Sequence, residues 1–308
     1  MRWITFADPG GDRVGLVSEE GVHPLEAGTT LLDLLDDGPD GLAAAAGRAR
    51  TAPVLALDDL VLRAPLQPRT LRDCIGFLQH LRNCQGGIDM PLSRRHLEVP
   101  GFYFSNAGAV TGPRDEIAVS PGCEQFDFEL EVAAVIGTPG ISIPREKAED
   151  HIAGYLVYCD WSARDLQIEE RSLQLGPAKG KDGANSLGPM LVTPDEIAHR
   201  RSGEGFDLAM TASVNGQHVG GGRWSSIDWS FADVVAYASR GTWLRSGDVI
   251  GSGTVPTGCL FEHFAMDPEH FRGWLQPGDE VILAVEELGE LRHRIIAGPP
   301  INPLRTGH

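Results

Sequence analysis

The chain lacks most of the signatures by which an enzyme class is read from a sequence. It contains no G-x-S-x-G, so the usual mark of a serine-hydrolase elbow is missing. There is no G-x-x-x-x-G-K-[ST] phosphate loop and no strand-borne G-x-G-x-x-G, and Gly220-Gly221-Gly222 reads as a hairpin turn or mobile loop. No H-E-x-x-H is present and the ten histidines are scattered, which disfavours a zinc hydrolase. The five cysteines, Cys74, Cys84, Cys123, Cys159 and Cys259, are odd in number and form no C-x-x-C pair. That pattern fits reduced, mostly buried thiols better than a disulfide framework or a zinc cluster, and nothing marks one as a nucleophile.

Positive charge is also scarce. Lys and Arg total 26 against 43 Asp and Glu, a net charge of -17, which argues against nucleic acid or an anionic membrane as the main partner. No run approaches the roughly 18 apolar residues of a membrane span, and the start, Met1 to Asp8, has no long apolar stretch of the kind a signal peptide carries. The expected location is the cytoplasm.

What is present suits a soluble protein of many short strands and turns. The 308 residues are 42% apolar, with 38 Gly and 21 Pro, enough chain for one large domain or one large and one small. Disorder and a helical bundle are both disfavoured.

The most informative segment is Asp127-Phe128-Glu129-Leu130-Glu131, followed by Val132 to Ile136. A period of two places Asp127, Glu129 and Glu131 on one face of a strand and Phe126, Phe128, Leu130 and Val132 on the other. Two readings follow. The acids either line a solvated face of an antiparallel strand, or hold a divalent cation. The uninterrupted apolar run that follows suggests burial on both faces, and a buried acid needs a counter-ion. All-oxygen ligands are hard, so the implied ion is Mg²⁺, Mn²⁺ or Ca²⁺.

Along the chain, residues 1–50 read as short strands around Gly10-Gly11, a helix over 30–35 and an Ala-rich helix over 41–50. The stretch Ala64-Pro65-Leu66-Gln67-Pro68-Arg69 marks a boundary, giving a small N-terminal α/β module over 1–65 and a larger domain over 66–308. Further on, 154–159 reads as a strand, with Asp160 placed to cap a helix running to about Gln174 and stopped by Gly176-Pro177. On that helix Arg164, Gln167 or Ile168, and Arg171 share a face. The segment 278–286 is again strand-like.

Four elements remain: the acid strand, Asp160-Trp161-Ser162-Ala163-Arg164-Asp165, Leu175-Gly176-Pro177-Ala178-Lys179-Gly180-Lys181-Asp182, and Ser252-Gly253-Thr254. Together, in this order and over about 70–294, they resemble the fumarylacetoacetate hydrolase family. The resemblance implies an α+β, mostly β fold: a mixed β-sandwich roll with a smaller N-terminal domain, usually a homodimer.

It also implies roles. Glu129, Glu131 and Asp160 would be metal ligands, with Asp73 as the fourth and Asp127 supporting them from behind. His80, seven residues after Asp73, would be the general base. Relatives with shorter chains often carry Glu three residues after this histidine, where Asn83 stands here, so the orienting acid is expected elsewhere, at Glu262. The lysine is Lys181 if Leu175-Gly176-Pro177 is the anchor, the preferred reading, or Lys179 if K-x-x-D with Asp182 is. Arg164, Gln167, Arg171, Lys179 and Thr254 would contact substrate, and Arg171, where the founding branch has tyrosine, favours a carboxylate. Residues 84–99, with Gly86-Gly87, read as a lid.

The expected activity is metal-dependent hydrolysis of a carbon-carbon bond in a β-diketo or acylpyruvate-type acid, a small anionic substrate. Lys181 and the Ser252-Gly253-Thr254 turn would stabilise the oxyanion or protonate the carbanion. The alternative is a lyase or isomerase of the same family: a decarboxylase, hydratase or tautomerase working through an enolate.

Overall fold

In the computed structural model, which describes residues 1–87 and 92–305, strand predominates over helix. Residues 88–91 of the expected lid lie outside the described residues. The larger sheet runs in the order Gly21–Pro24, Arg13–Ser18, Arg2–Phe6, Asn185–Val192, Ile152–Asp160, Leu130–Ile136, Val249–Gly251, Leu71–Cys74, Phe102–Ser105. A second sheet is built from Gln217–Arg223, Ala209–Val214, Glu280–Val285, Gly289–Ile296 and Ile117–Ala118.

The strand Leu130–Ile136 is buried along its whole length because both faces of the large sheet are covered. Its even-numbered residues, with Phe126 and Phe128, join a core completed by Met210, Leu283 and Leu291 of the second sheet and by Val234 and Val235 of the helix Phe231–Ala238. Its odd-numbered Ala133 and Val135 join another core, closed by Trp3 and by the helices Leu31–Asp36 and Gly41–Ala49. The N-terminal segment therefore packs on the sheet, and Arg2–Phe6 extends it by pairing with Asn185–Val192. Leu31–Asp36 starts on a capping box, with Thr30 and Asp33 exchanging hydrogen bonds.

Three local expectations need correction. The acid segment is not one continuous strand: Phe126–Asp127 pairs with Ser162–Ala163, Glu129 bridges to Cys259, and the regular strand begins at Leu130. The break occurs because the Asp127 carboxylate accepts the backbone N–H of Phe128, turning the chain locally. Second, no helix starts at Asp160. Asp160 ends the strand Ile152–Asp160, its N–H donating to the Glu129 carbonyl, and the helix is only Arg164–Glu170, followed by a tight turn that Gln174 ends at φ 55°. Third, Gly220-Gly221-Gly222 lies within the strand Gln217–Arg223, where a Cβ at Gly220 would stand 2.1 Å from the Thr257 carbonyl oxygen.

Among the described residues no helix is long and apolar enough to cross a membrane.

Candidate active site

Three strands and two short helices converge on the acid segment. Leu71–Cys74 runs parallel to Val249–Gly251, which pairs with Leu130–Ile136, so Gly251 stands between Asp73 and Ala133 in the ladder. A Cβ at Gly251 would meet Asp73 Oδ1 at 2.6 Å and Glu131 Oε2 at 2.8 Å, so glycine makes the room in which the two carboxylates meet. Asp73, Glu129 and Glu131 place oxygens within 4.8 Å of one another, all three buried. Asp160 joins from the neighbouring strand, tied to Glu129 by a shared cation: Lys181 Nζ donates to Glu129 Oε2 at 2.6 Å, Asp160 Oδ2 at 2.7 Å and Ser162 Oγ at 2.7 Å.

The solvated-face reading of the acid strand is thus overturned. Asp127 and Glu131 are 0% exposed and Glu129 5%. Two buried cations, Arg164 and Lys181, face five buried carboxyl groups, Asp73, Asp127, Glu129, Glu131 and Asp160. Fully ionised, this cluster would be anionic in a low-dielectric setting, which is costly without a further cation or bound protons.

The titration pattern follows from that arrangement. Burial raises Asp73 above the usual carboxylate range, and burial with repulsion from Asp73 raises Glu131 further. Burial pushes Asp160 up to about 7 against the pull of Lys181. Glu129 is also buried, but Lys181 and Arg164 outweigh the burial and hold it well below its ordinary value. Lys181 is held above its own value, because Asp160 and Glu129 more than offset its burial.

A hard divalent cation fits this set. Glu131 Oε1 and Asp160 Oδ1 are buried and have no hydrogen-bond partner among the described residues, so each keeps a lone pair for an ion. Asp73, Glu129, Glu131 and Asp160 supply oxygen only, the donor preference of Mg²⁺, Mn²⁺ or Ca²⁺.

The Ser252-Gly253-Thr254 turn, expected to contact an oxyanion, also touches the acid cluster. The Gly253 N–H donates to Glu131 Oε2 at 2.9 Å and Asp73 Oδ1 at 3.2 Å, and so orients carboxylates. Gly253 has φ +80°, and a Cβ there would lie 2.3 Å from the Cys74 carbonyl oxygen. Thr254 lines the cavity beside it.

Asp127 is a brace. It accepts the backbone N–H groups of Leu260 at 2.7 Å and Phe261 at 3.0 Å, in the first turn of the helix Leu260–Met266, and the Arg164 Nε at 2.9 Å. Arg164 Nη2 also donates to Glu129 at 2.8 Å, so one guanidinium links brace and acid cluster while lying over the Phe261 ring at 5.3 Å.

The braced helix carries Glu262. The helix Leu78–Cys84 packs against it and brings His80 Nδ1 to 2.8 Å from Glu262 Oε1. Asn83, one turn after His80, donates through Nδ2 to Glu262 Oε2 at 2.5 Å, and the Thr257 N–H donates to the same oxygen at 2.9 Å. The residue that departs from the short-chain pattern therefore holds the acid that replaces it. Burial works against protonating His80, but the acceptors at Cys84, Cys259 and Glu262 outweigh it and raise its pKa well above the ordinary imidazole value.

His80 and part of the acid cluster border a cavity of about 430 Å³. Its walls include Asp73, His80, Glu129, Arg164, Gln167, Arg171, Lys181 and Thr254, with Ile75, Phe77, Leu81 and Phe261 as apolar surface. Arg164 and Gln167 share a face of the helix Arg164–Glu170, and Arg164 Nη1 donates to Gln167 Oε1 at 3.2 Å, whereas Arg171, expected on the same helix face, falls past the helix end in the turn Arg171–Leu173. Arg171 sits at the exposed rim. Lys179 does not reach the cavity. It is exposed and paired with Asp182 at 2.8 Å, whereas Lys181 is inside.

Tyr103 was not foreseen from the sequence. Its hydroxyl bridges Asp73 Oδ2, at 2.9 Å, and Asp160 Oδ2. One phenolic hydrogen cannot serve both, so this bridge also calls for a proton on the carboxyl side. Nothing local in Phe102-Tyr103-Phe104 announces the role, which depends on the pairing of Tyr103 with Asp73.

Residues 70–296 match the family described as fumarylacetoacetate (FAA) hydrolase C-terminal. The chain belongs to the fumarylacetoacetate hydrolase family. It is 30% identical over 306 residues to the human protein named oxaloacetate tautomerase FAHD2A, mitochondrial, covering 96% of this chain and 92% of that one. Its fold matches fumarylacetoacetate hydrolase from the psychrophile Exiguobacterium antarcticum with a TM-score of 0.76, at 27% identity, over 96% of this chain and 99% of that one. Maleylpyruvate hydrolase from Sphingobium, solved with manganese(II) and pyruvate, shares the fold alone: TM-score 0.73 and 21% identity, over 97% of this chain and 100% of that one. These relatives and neighbours of the family are enzymes, and the solved structures share this chain's fold.

Proposed function

We propose that the chain is a divalent-metal-dependent hydrolase that cleaves a carbon-carbon bond in a small β-diketo or acylpyruvate-type acid. The observation that carries this reading is His80 in the wall of the cavity that also includes Asp73 and Glu129, backed at 2.8 Å by the buried Glu262. An imidazole fixed through Nδ1 on a buried carboxylate keeps Nε2 for proton transfer, as activation of an attacking water requires.

Asp73, Glu129, Glu131 and Asp160 would hold the cation. Bound there, it would supply Lewis-acid stabilisation of an enolate. His80 acts after giving up its second proton, taking one from water as the water oxygen bonds to the carbonyl carbon. The carbon-carbon bond then breaks with its electron pair on the departing enolate carbon, and His80 returns the proton to that carbon. Glu262 keeps the ring oriented throughout. Lys181, fully engaged with three acceptors, neutralises the cluster rather than donating a proton. Arg164 and Arg171 supply positive charge for the substrate carboxylate, with Gln167 and Thr254 as further polar contacts.

A second reading, tautomerisation of a 2-oxo acid, is favoured by the likeness to the oxaloacetate tautomerase. There the same dyad would move a proton between carbon and oxygen without an attacking water. The test is enol absorbance of an acylpyruvate panel and of oxaloacetate, followed on metal-stripped protein before and after Mn²⁺ or Mg²⁺ is restored. Metal-dependent release of pyruvate and a second acid supports hydrolysis. Enol loss without cleavage replaces it with tautomerisation, and CO₂ release with decarboxylation.

The reading assigns the chemistry to residues 66–308, with 1–65 as a smaller domain whose first strand extends the catalytic sheet. It also implies a cytoplasmic homodimer, which sedimentation and fractionation would test.

A further inference from the structure

Behind the dyad lie two thiols that the proposed reaction does not use. Cys84 Sγ stands 3.9 Å from His80 Nδ1 and 3.8 Å from Nε2, and Cys259 Sγ lies 3.7 Å from Glu262 Oε1. Donor atoms of His80, Cys259 and Glu262 all lie within 4.8 Å of one another. Cys84 is 5% exposed, Cys259 and Glu262 0%.

We propose that His80, Cys84, Cys259 and Glu262 form a second metal site, selective for zinc-like thiophilic dications, whose occupation silences the dyad. The donor set is one nitrogen, two sulfurs and one oxygen, a composition that suits Zn²⁺ and is poor for Mg²⁺ or Ca²⁺. Neighbouring ligands of a tetrahedral zinc lie about 3.5 Å apart, the edge set by bonds of roughly 2.0–2.3 Å; here His80–Glu262 is 2.8 Å and Cys259–Glu262 3.7 Å within the 4.8 Å group, and Cys84, outside that group, reaches His80 at 3.9 Å.

The scaffold already has the form of a helix-borne metal site. His80 and Cys84 are one turn apart on Leu78–Cys84, and Cys259 and Glu262 are three apart at the start of Leu260–Met266. Outer support is in place, since Asn83 and the Thr257 N–H hold Glu262 by Oε2 and leave Oε1 to the metal. His80 and Cys84 line the cavity, which gives the ion its route. On binding, each thiol releases its proton to solvent, and Nδ1 gives up its hydrogen, which the ring keeps at Nε2 or sheds. The imidazole nitrogen and the carboxylate oxygen that orient proton transfer are then ligands.

The site goes beyond the reaction proposed above and its test needs no substrate. Full-length protein with the carboxylate site saturated in Mg²⁺ is titrated with Co²⁺. The expected result is a sulfur-to-cobalt charge-transfer band that saturates at one equivalent and is bleached by Zn²⁺. In Cys84→Ser and Cys259→Ser, each checked for folding by circular dichroism, the band weakens, and Zn²⁺ affinity falls by more than about 100-fold, since even an outer-shell partner is worth about 10–100-fold. Absence of the band in the native protein overturns the proposal without the variants. A band of full intensity in the Cys84→Ser/Cys259→Ser double variant overturns it as well, by placing the metal on other thiols.

Discussion

His80 and Glu262 are 182 positions apart in the chain, yet His80 Nδ1 and Glu262 Oε1 meet at 2.8 Å. Two short helices are docked to make that contact, one with its first turn held by Asp127 and the other with its leading N–H, at Leu78, donating to Asp228 at 2.7 Å. Glu262→Gln keeps the shape of the pair and removes its charge. It is expected to lower kcat about 10²–10⁴-fold with KM little changed, as His80→Gln does. Asn83→Ala should cost less, roughly tenfold, through loss of orientation. Steady-state kinetics on the three variants checks this, and equal kcat in Glu262→Gln and native protein would remove the dyad from the mechanism.

Metal binding is expected to depend on Glu131, whose Oε1 lacks a partner among the described residues. Added Mn²⁺ should raise the melting temperature of the native protein, with about 2.7 kcal/mol of stabilisation at a hundredfold excess over Kd. Glu131→Gln should abolish both that shift and Mn²⁺ binding followed by electron paramagnetic resonance. An undiminished shift in the variant would show that the ion binds elsewhere.

The two candidate lysines should separate cleanly. Lys179→Ala, at the surface, should leave activity within about twofold, because an exposed ion pair contributes at most about 1 kcal/mol. Lys181→Ala strands Glu129 and Asp160, so activity and stability both fall. The reverse pattern would return the role to Lys179.

Gly253→Ala should be one of the most damaging small substitutions. The residue combines φ +80° with a Cβ position 2.3 Å from a backbone oxygen, and relieving either displaces the amide that holds Asp73 and Glu131. A loss of about 2–4 kcal/mol is expected in denaturant melts, together with weakened Mn²⁺ binding. Native stability with native metal affinity would show that the turn is not a ligand support.

His293 should make the fold acid-sensitive for a reason separate from the site. It is 1% exposed, Nδ1 donates to the Asp115 carbonyl oxygen at 2.7 Å, and burial depresses its pKa from 6.5 to about 4. Between those values the unfolded chain takes up a proton that the folded one refuses. Stability from this group is therefore complete above pH 6.5 and is lost as the pH falls toward 4, by about 3 kcal/mol in all. Urea melts at pH 7 and 4.5 should show His293→Gln less pH-dependent than native protein, and identical slopes would discard the assignment.

How much of this was legible beforehand depended on whether a feature is local. The alternation of Asp127, Glu129 and Glu131 is written in adjacent residues, so the shared face could be read directly, as could the helix face of Arg164 and Gln167, while the helix end that leaves Arg171 in a turn could not. Asp160 misled because a polar residue after an apolar run has the local look of a cap, while the real claim on it comes from Lys181 and Tyr103, far along the chain. Tyr103 was invisible for the same reason. Asn83 could be seen only as a departure from pattern, and its contact with Glu262 needed two helices to be placed side by side. The roll itself was read from family resemblance, since strand periodicity says which face is buried but not which strands are neighbours.

The division of the acid segment between two faces also guards the folding of the chain. If this segment slipped by one residue against its neighbours, Phe128 and Leu130 would occupy the cation centre, and the carboxylates would enter a core of Trp161, Met210 and Leu283 that offers them no partner. A molecule with that error could neither collapse fully nor bind its ion. The same alternation that gathers the carboxylates therefore also specifies the register of the segment.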